Sequence, residues 1–230
     1  MKHYKNNLLK TVFVCFATIS GCSSKATKEI NFSEIKSNVF QLDTTVLKEG
    51  SKQGTCFSIG GNYFVTSHHL LEYSNDISNV KIHVKNNKDN LSYLSELCYE
   101  DSENDIAIIK CEKLDVSKGL SFSTSVLNIG DICYAYGSAY AGGVSLFKGV
   151  ISNPEVKIWY NSQYNNFIET NIEIYPGCSG GCLINEDGKC IGMQLFRLVD
   201  NNGDAIKDLS YSISASKILS AIKECKKLLK

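Results

Sequence analysis

Short runs of alternating apolar and polar residues dominate the chain beyond residue 35. Ile35, Val39, Phe40 and Leu42 open the series, and Val80, Ile82 and Val84 then alternate with Lys81, His83 and Lys85. That period of two is the pattern of a strand with one buried and one wet face. Ile106, Ala107, Ile108 and Ile109 run without a polar break, as expected of a strand covered on both sides. Further strands are predicted over 132–136, 144–151, 156–160, 167–171, 182–184, 190–196 and 209–213, with Asn153-Pro154 read as a turn. So many short strands with regular turn signals argue for a sandwich or a barrel. Only 214–229 is convincingly helical: Ile218, Ile222, Cys225 and Leu229 share one face, with Lys217, Lys223, Lys226 and Lys227 elsewhere. Its cationic last turn suits the helix dipole.

Composition narrows the class. The chain has 230 residues, 43% hydrophobic and 21% charged, enough for one globular domain or two small fused lobes. Lys plus Arg equals Asp plus Glu at 24 each, so no basic surplus exists to neutralise phosphates and nucleic acid is not expected as a partner. The polar stretch over 111–119 is suited to joining two lobes.

The N-terminus changes the picture more. Lys2, His3, Lys5 and Lys10 precede an apolar stretch over 11–19 that is too short to span a bilayer, which together read as a secretory signal over 1–21. Its end, Ile19-Ser20-Gly21-Cys22, resembles the bacterial lipobox. That resemblance implies acylation of Cys22 and a polar tether over 22–33. The acyl chains would hold the protein on a membrane surface, since each buried methylene contributes ~0.8 kcal/mol. The expected location is the bacterial cell envelope, facing periplasm or exterior, and Ser23 is compatible with the outer membrane of a two-membrane cell.

Ten cysteines are present, eight of them after Cys22. An even number in an exported chain suggests disulfides, and Cys98 and Cys111, which flank an expected turn at 101–104, are the first candidate pair. The other readings are small buried apolar side chains and a zinc site from Cys178, Cys182 and Cys190, for which no supporting CxxC spacing exists. No metal and no cofactor is expected.

Three short segments carry candidate chemistry. Gly177-Cys178-Ser179-Gly180-Gly181 follows Pro176 and precedes an apolar strand, and its glycines allow a tight turn that gathers backbone N–H groups at one point. Val65-Thr66-Ser67-His68-His69 follows a strand that begins at Gly54, and Asn104-Asp105 stands at the mouth of the buried run. A serine hydroxyl is a weak nucleophile unless an imidazole takes its proton and a carboxylate orients the imidazole. The chain supplies candidates for each group.

In the order His, Asp, Ser these segments resemble the trypsin-like serine peptidases, and among them the bacterial Deg or HtrA proteases. Gly54-Thr55-Cys56-Phe57, Asp105 to Lys110, Lys148 to Ser152, Ile168 to Asn171, Pro176 to Gly181 and Gly188 to Gly192 match in order and spacing. The resemblance implies an all-β fold of two antiparallel six-stranded barrels with a C-terminal helix and a cleft between the barrels. The protease domain would cover 34–230, with barrels over about 34–113 and 118–213 and the helix over 214–229. It further implies Ser179 as nucleophile, His69 as base and then acid, Asp105 as orienting group, and the N–H groups of Gly177 and Ser179 as the oxyanion hole. Protein or peptide substrates follow. Spacing favours His69 over His68, which reads as a solvent-facing neighbour, and Asp105 over the turn residue Asp101 because the carboxylate must be desolvated.

The chain also departs from the family. Cys178 precedes the nucleophile where those enzymes carry asparagine or aspartate, so activation by a freed N-terminus is not expected. Cys178 is a less suitable nucleophile than Ser179, which directly precedes two glycines. Glu173 falls at the expected floor of the primary specificity pocket, where it would pair with Lys or Arg of a substrate. Alternatively Arg197, beyond Phe196 on the adjacent strand, neutralises it, and Ser210 and Ser212 would be small wall residues. The chain ends directly after the predicted helix, so regulation through a PDZ module is not expected. The competing readings are a catalytically silent scaffold or chaperone on the same fold, and a structural lipoprotein.

Overall fold

The computed structural model describes residues 29–46, 49–73, 79–86 and 88–229. The expected signal, Cys22 and most of the tether lie outside the described residues.

Two closed six-stranded barrels form the body. The first contains β1 (Val39–Val46), β2 (Gly50–Gly60), β3 (Tyr63–Thr66), β4 (Lys81–Lys85), β5 (Ser92–Asp101) and β6 (Ile106–Lys110), in the order β1-β2-β3-β6-β5-β4. The second contains β7 (Ile132–Gly137), β8 (Ser145–Tyr160), β9 (Gln163–Thr170), β10 (Cys182–Asn185), β11 (Cys190–Phe196) and β12 (Ser210–Ser214), in the order β10-β11-β12-β9-β8-β7. Antiparallel pairing of β1 with β4 and of β7 with β10 closes the two, so neither presents a free sheet edge. This is the all-β architecture with a C-terminal helix that the sequence led us to expect.

The apolar run in β6 explains how the barrels meet. Ala107 and Ile109 point into the first barrel with Leu42, Phe64 and Val84, whereas Ile106 and Ile108 join Val39, Phe57, Tyr136, Met193 and Ile213 in the layer between barrels. Each such side chain contributes roughly 1.5–3 kcal/mol on burial, so the inter-barrel layer fixes the cleft as firmly as either core fixes its barrel. The helix α2 (Ala215–Leu228) buries Ile218, Ala221 and Cys225 and packs on β5, β6, β11 and β12, clamping both barrels. A short helix α1 (Phe32–Lys36), capped by Asn31, also joins the second barrel, because Tyr136 donates to the Phe32 carbonyl at 2.8 Å. Among the described residues no helix is long and apolar enough to cross a membrane.

Two local expectations change. Asn153-Pro154 does not turn the chain: β8 runs through it for 16 residues, with irregular register on either side. A bulge accommodates a residue that cannot donate to the ladder. The described cysteines are free thiols. Cys98 and Cys111 occupy different layers, Cys98 beside α2 and Cys111 inside the first barrel with its thiol on the Leu94 carbonyl, so the expected pairing is not made.

Candidate active site

The β5–β6 turn delivers a buried carboxylate to the boundary between barrels. Asp101 is consumed within that turn, accepting from Asn104 N at 3.0 Å and Asn104 Nδ2 at 2.8 Å. Asp105 follows with φ of 56° and no solvent exposure. A positive φ is tolerated by Asp better than by most residues and swings the carboxyl away from the strand line. After β3 the chain makes a single 3-10 turn over His68–Leu70, held to Asp105 by a His68 N–H to Asp105 carbonyl bond of 3.2 Å. His69 then makes two contacts with the carboxylate: its backbone N–H donates to Oδ1 at 2.7 Å and Nδ1 pairs with Oδ2 at 2.7 Å. The two bonds fix the ring and leave Nε2 without a protein partner among the described residues.

His68 is not solvent-facing. Its ring is buried between two carboxylates, Nδ1 3.0 Å from Glu72 and Nε2 3.0 Å from Glu100. Both its nitrogens are thereby occupied, and the ring lies off the cleft.

The loop around Ser179 is held from the first barrel. Thr55 N–H donates to the Ser179 carbonyl at 2.8 Å, and Thr55 Oγ1 donates to the Gly177 carbonyl at 2.6 Å while accepting from Ser138 N at 2.8 Å. Gly180 N and Gln194 N close the other side through the carbonyls of Gln194 and Gly181, each at 2.8 Å. Glycine is required within this clamp. Gly177 has φ of 96° and a Cβ there would stand 2.2 Å from the Ser138 carbonyl; at Gly180, φ 84°, it would stand 2.1 Å from that of Thr55. The N–H groups of Gly177 and Ser179 donate to no protein acceptor among the described residues, so both are available to an oxyanion.

Ser179, His69, Tyr160, Leu195, Phe196 and Arg197 line one open cleft of about 280 Å³. The Ser179 hydroxyl donates to the Leu195 carbonyl at 2.8 Å, and no hydrogen bond joins it to His69. Cys178 is turned away, fully buried in the second barrel, and burial raises its thiol pKa, so it is a poor thiolate source at the cleft. Among the described residues no group of three or more His, Cys, Asp or Glu is placed to hold a metal ion.

Of the expected substrate contacts, Phe196 and Arg197 reach the cleft while Glu173, Ser210 and Ser212 do not. Glu173 lies beside the Tyr175 phenol, whose pKa it raises, and is not among the residues that line the cleft. Ser210 is buried against Thr170 at 2.9 Å and Ser212 pairs with Ile168 and Gln194 inside the barrel wall. A column of rings forms one wall of the cleft: Phe196 stacks on Tyr160 at 4.7 Å and on Tyr211 at 5.2 Å. Thr55, Leu195 and Tyr160 are site residues that sequence reasoning misses; only Thr55, inside a matched motif, carries any signal.

Comparison with known proteins places this architecture. A family model described as a trypsin-like peptidase domain matches residues 54–193. The chain belongs to that family. This trypsin-like chain is 29% identical over 204 residues to a probable periplasmic serine endoprotease, DegP-like, of Buchnera aphidicola subsp. Baizongia pistaciae, covering 88% of the chain and 38% of the relative. A protein of the same description from Chlamydia muridarum is 34% identical over 146 residues, 61% of the chain and 27% of the relative. The chain thus spans well under half the length of these relatives. Among solved structures, the HtrA-type protease AlgW with tripeptide superposes with a TM-score of 0.69 at 25% identity, covering 84% of this chain and 61% of that one. A protease of M. tuberculosis in its active form gives 0.72 at 16% identity, covering 84% and 82%, which speaks to the fold alone.

Proposed function

We propose that this protein is a serine endopeptidase of the bacterial cell envelope, acting on proteins or peptides with Ser179 as nucleophile, His69 as proton acceptor and donor, and Asp105 as orienting group. The observation that carries the reading is the double contact of Asp105 with His69 beside a cleft that also holds Ser179 and two unoccupied N–H groups. The relatives' description as periplasmic endoproteases supports both activity and location.

In this reading the Ser179 hydroxyl rotates from Leu195 toward His69 Nε2 as substrate enters. Oγ attacks the scissile carbonyl carbon while its proton passes to Nε2, and Asp105 stabilises the imidazolium through Nδ1–H. The carbonyl oxygen gains the charge and is met by the N–H groups of Gly177 and Ser179, where loss of one donor costs about 3 kcal/mol of transition-state stabilisation. The tetrahedral adduct collapses as the imidazolium protonates the departing amine. Water, deprotonated by His69, then releases the acyl group from Ser179. Acylation of Cys22 would tether the enzyme to the membrane surface.

A serine-directed phosphonate tests the assignment. Labelling of the native protein at Ser179, abolished in Ser179→Ala, is expected together with release of peptides from a denatured protein mixture. Absence of labelling in the native protein leaves the scaffold reading instead. Incorporation of labelled palmitate, lost in Cys22→Ala, checks the anchor separately.

A further inference from the structure

The carboxylate that holds His69 is also held from the opposite barrel. Tyr160 ends β8, and its hydroxyl lies 2.7 Å from Asp105 Oδ2, the oxygen that meets His69 Nδ1. We propose that Tyr160 is a positioning residue of the active site, fixing the plane of the Asp105 carboxylate and moderating its pull on the His69 proton. The consequence for catalysis rests on the peptidase reading; the effect on the imidazole does not.

The placement is determined from several sides. Asn161 and Ser162, at φ 49° and 62°, make a two-residue turn that ends the β8–β9 hairpin with Tyr160 opposite Gln163. Three amide side chains then seat this hairpin on the turn that carries Asp105. Asn161 donates to the Ser102 carbonyl at 2.8 Å, and Gln163 and Asn165 donate to that of Glu103 at 3.3 and 3.0 Å. The phenol ring is stacked on Phe196 at 4.7 Å and met edge-on by Phe167 at 5.5 Å, so it has little freedom to leave the carboxylate.

Chemistry assigns the direction of the bond. Burial, then the charge of Asp105, then the hydrogen bond to it, and lastly Glu72 push the phenol pKa far upward. Tyr160 therefore stays protonated at every pH at which the fold works, and the carboxylate accepts. The titratable groups facing it are Asp105, with His69 and Glu72 from the segment after β3. His68 is engaged by Glu72 and Glu100, and Lys217 of α2 reaches only the far side of the hairpin, through Asn165 Oδ1 at 3.2 Å. Removing the hydroxyl leaves one lone pair of a buried carboxylate unsatisfied. Its charge then acts more strongly on the imidazolium, and the carboxyl gains rotational freedom.

Tyr160→Phe keeps the ring column and deletes only the hydroxyl. The imidazole titration of His69, followed by NMR, is expected to move to higher pH in the variant, and the acid limb of kcat/KM moves with it. At the optimum, kcat/KM falls about tenfold to a hundredfold, the range of a hydrogen bond to a charged group. Superimposable titrations in the two proteins overturn the inference, as does a rate loss with an unchanged pH profile and a matching fall in thermal stability, which assigns Tyr160 to packing. A moved titration in a protein that the phosphonate does not label keeps the Tyr160 inference and removes the peptidase reading; labelling with an unmoved titration does the reverse.

Discussion

Thr55 Oγ1 donates a 2.6 Å hydrogen bond to the Gly177 carbonyl, so a residue of the first barrel sets the peptide plane between Gly177 and Cys178, next to the N–H groups proposed to meet the oxyanion. The same oxygen accepts from Ser138 N, and all three groups are buried. Thr55→Val preserves shape and removes both bonds, leaving a buried carbonyl and a buried N–H unpaired. We expect a loss of about 2–6 kcal/mol in denaturant unfolding, from two groups at about 1–3 kcal/mol each. We also expect kcat to fall about 100-fold, the effect of one misplaced oxyanion donor. Thr55→Ser restores both bonds and is expected near the native values. A Val variant that loses stability but keeps kcat argues against control of the loop.

Asp105→Asn gives a larger catalytic loss. The amide keeps an oxygen for His69 N–H but turns an NH2 toward Nδ1, so the ring takes the tautomer with its proton on Nε2, which cannot accept from Ser179. Asn tolerates the positive φ that this position requires, so folding survives. The expected fall in kcat/KM is about 10⁴-fold, with a loss of about 1–3 kcal/mol in stability because the NH2 no longer accepts from the Tyr160 hydroxyl. A fall below tenfold removes the orienting role of Asp105.

The fold is legible in the sequence where burial leaves contiguous signals. The Ile106–Ile109 run marks a strand covered on both faces because one face fills a barrel and the other the layer between barrels. Pro154 misleads because local turn chemistry is overridden by strand pairing on both sides of a bulge. At the site, spacing in sequence brings Asp105 into view, but the bridge that occupies His68 depends on Glu100, 32 residues away. Glu173 misleads for a similar reason: its distance from Ser179 along the chain does not say that the cleft is lined by Phe196 and Arg197 instead. Tyr160 is illegible, since a ring at the end of an alternating strand reads as core.

The buried thiols make stability fall at alkaline pH. Burial pushes Cys133 and Cys190 up to about 12 and holds Cys56 and Cys182 well above the ordinary thiol value. In the unfolded chain a thiol ionises near ~8.5, so between that pH and about 12 the folded state binds more protons than the unfolded one. Stability is therefore complete below ~8.5 and declines above it, by about 1.4 kcal/mol per thiol per pH unit. Thermal midpoints in reducing buffer are expected to be level from about pH 7 to 8 and to drop steeply by about pH 10. At pH 8, brief iodoacetamide treatment of the folded protein modifies Cys98 ahead of the seven other described cysteines, because Cys98 alone among them is not fully buried. A level midpoint across the range contradicts the ordering of folded and unfolded thiol pKa values.

Substrate preference follows from which charge reaches the cleft. Arg197 lines it and makes no ion pair among the described residues, its guanidinium donating only to the Ile174 carbonyl at 3.3 Å, while Glu173 stands apart. A planar guanidinium with free donors recognises a carboxylate in paired bonds, and Lys in its place does not reproduce that geometry. Peptide reporters with Glu or Asp beside the scissile bond are therefore expected to be cleaved at least about tenfold faster than those with Lys or Arg, a ratio worth ~1.4 kcal/mol. Arg197→Glu is expected to invert the order, and Glu173→Gln to leave it unchanged. If the native enzyme instead prefers Lys or Arg and Glu173→Gln abolishes the preference, the acidic floor inferred from spacing is the correct specificity element and Arg197 is a bystander.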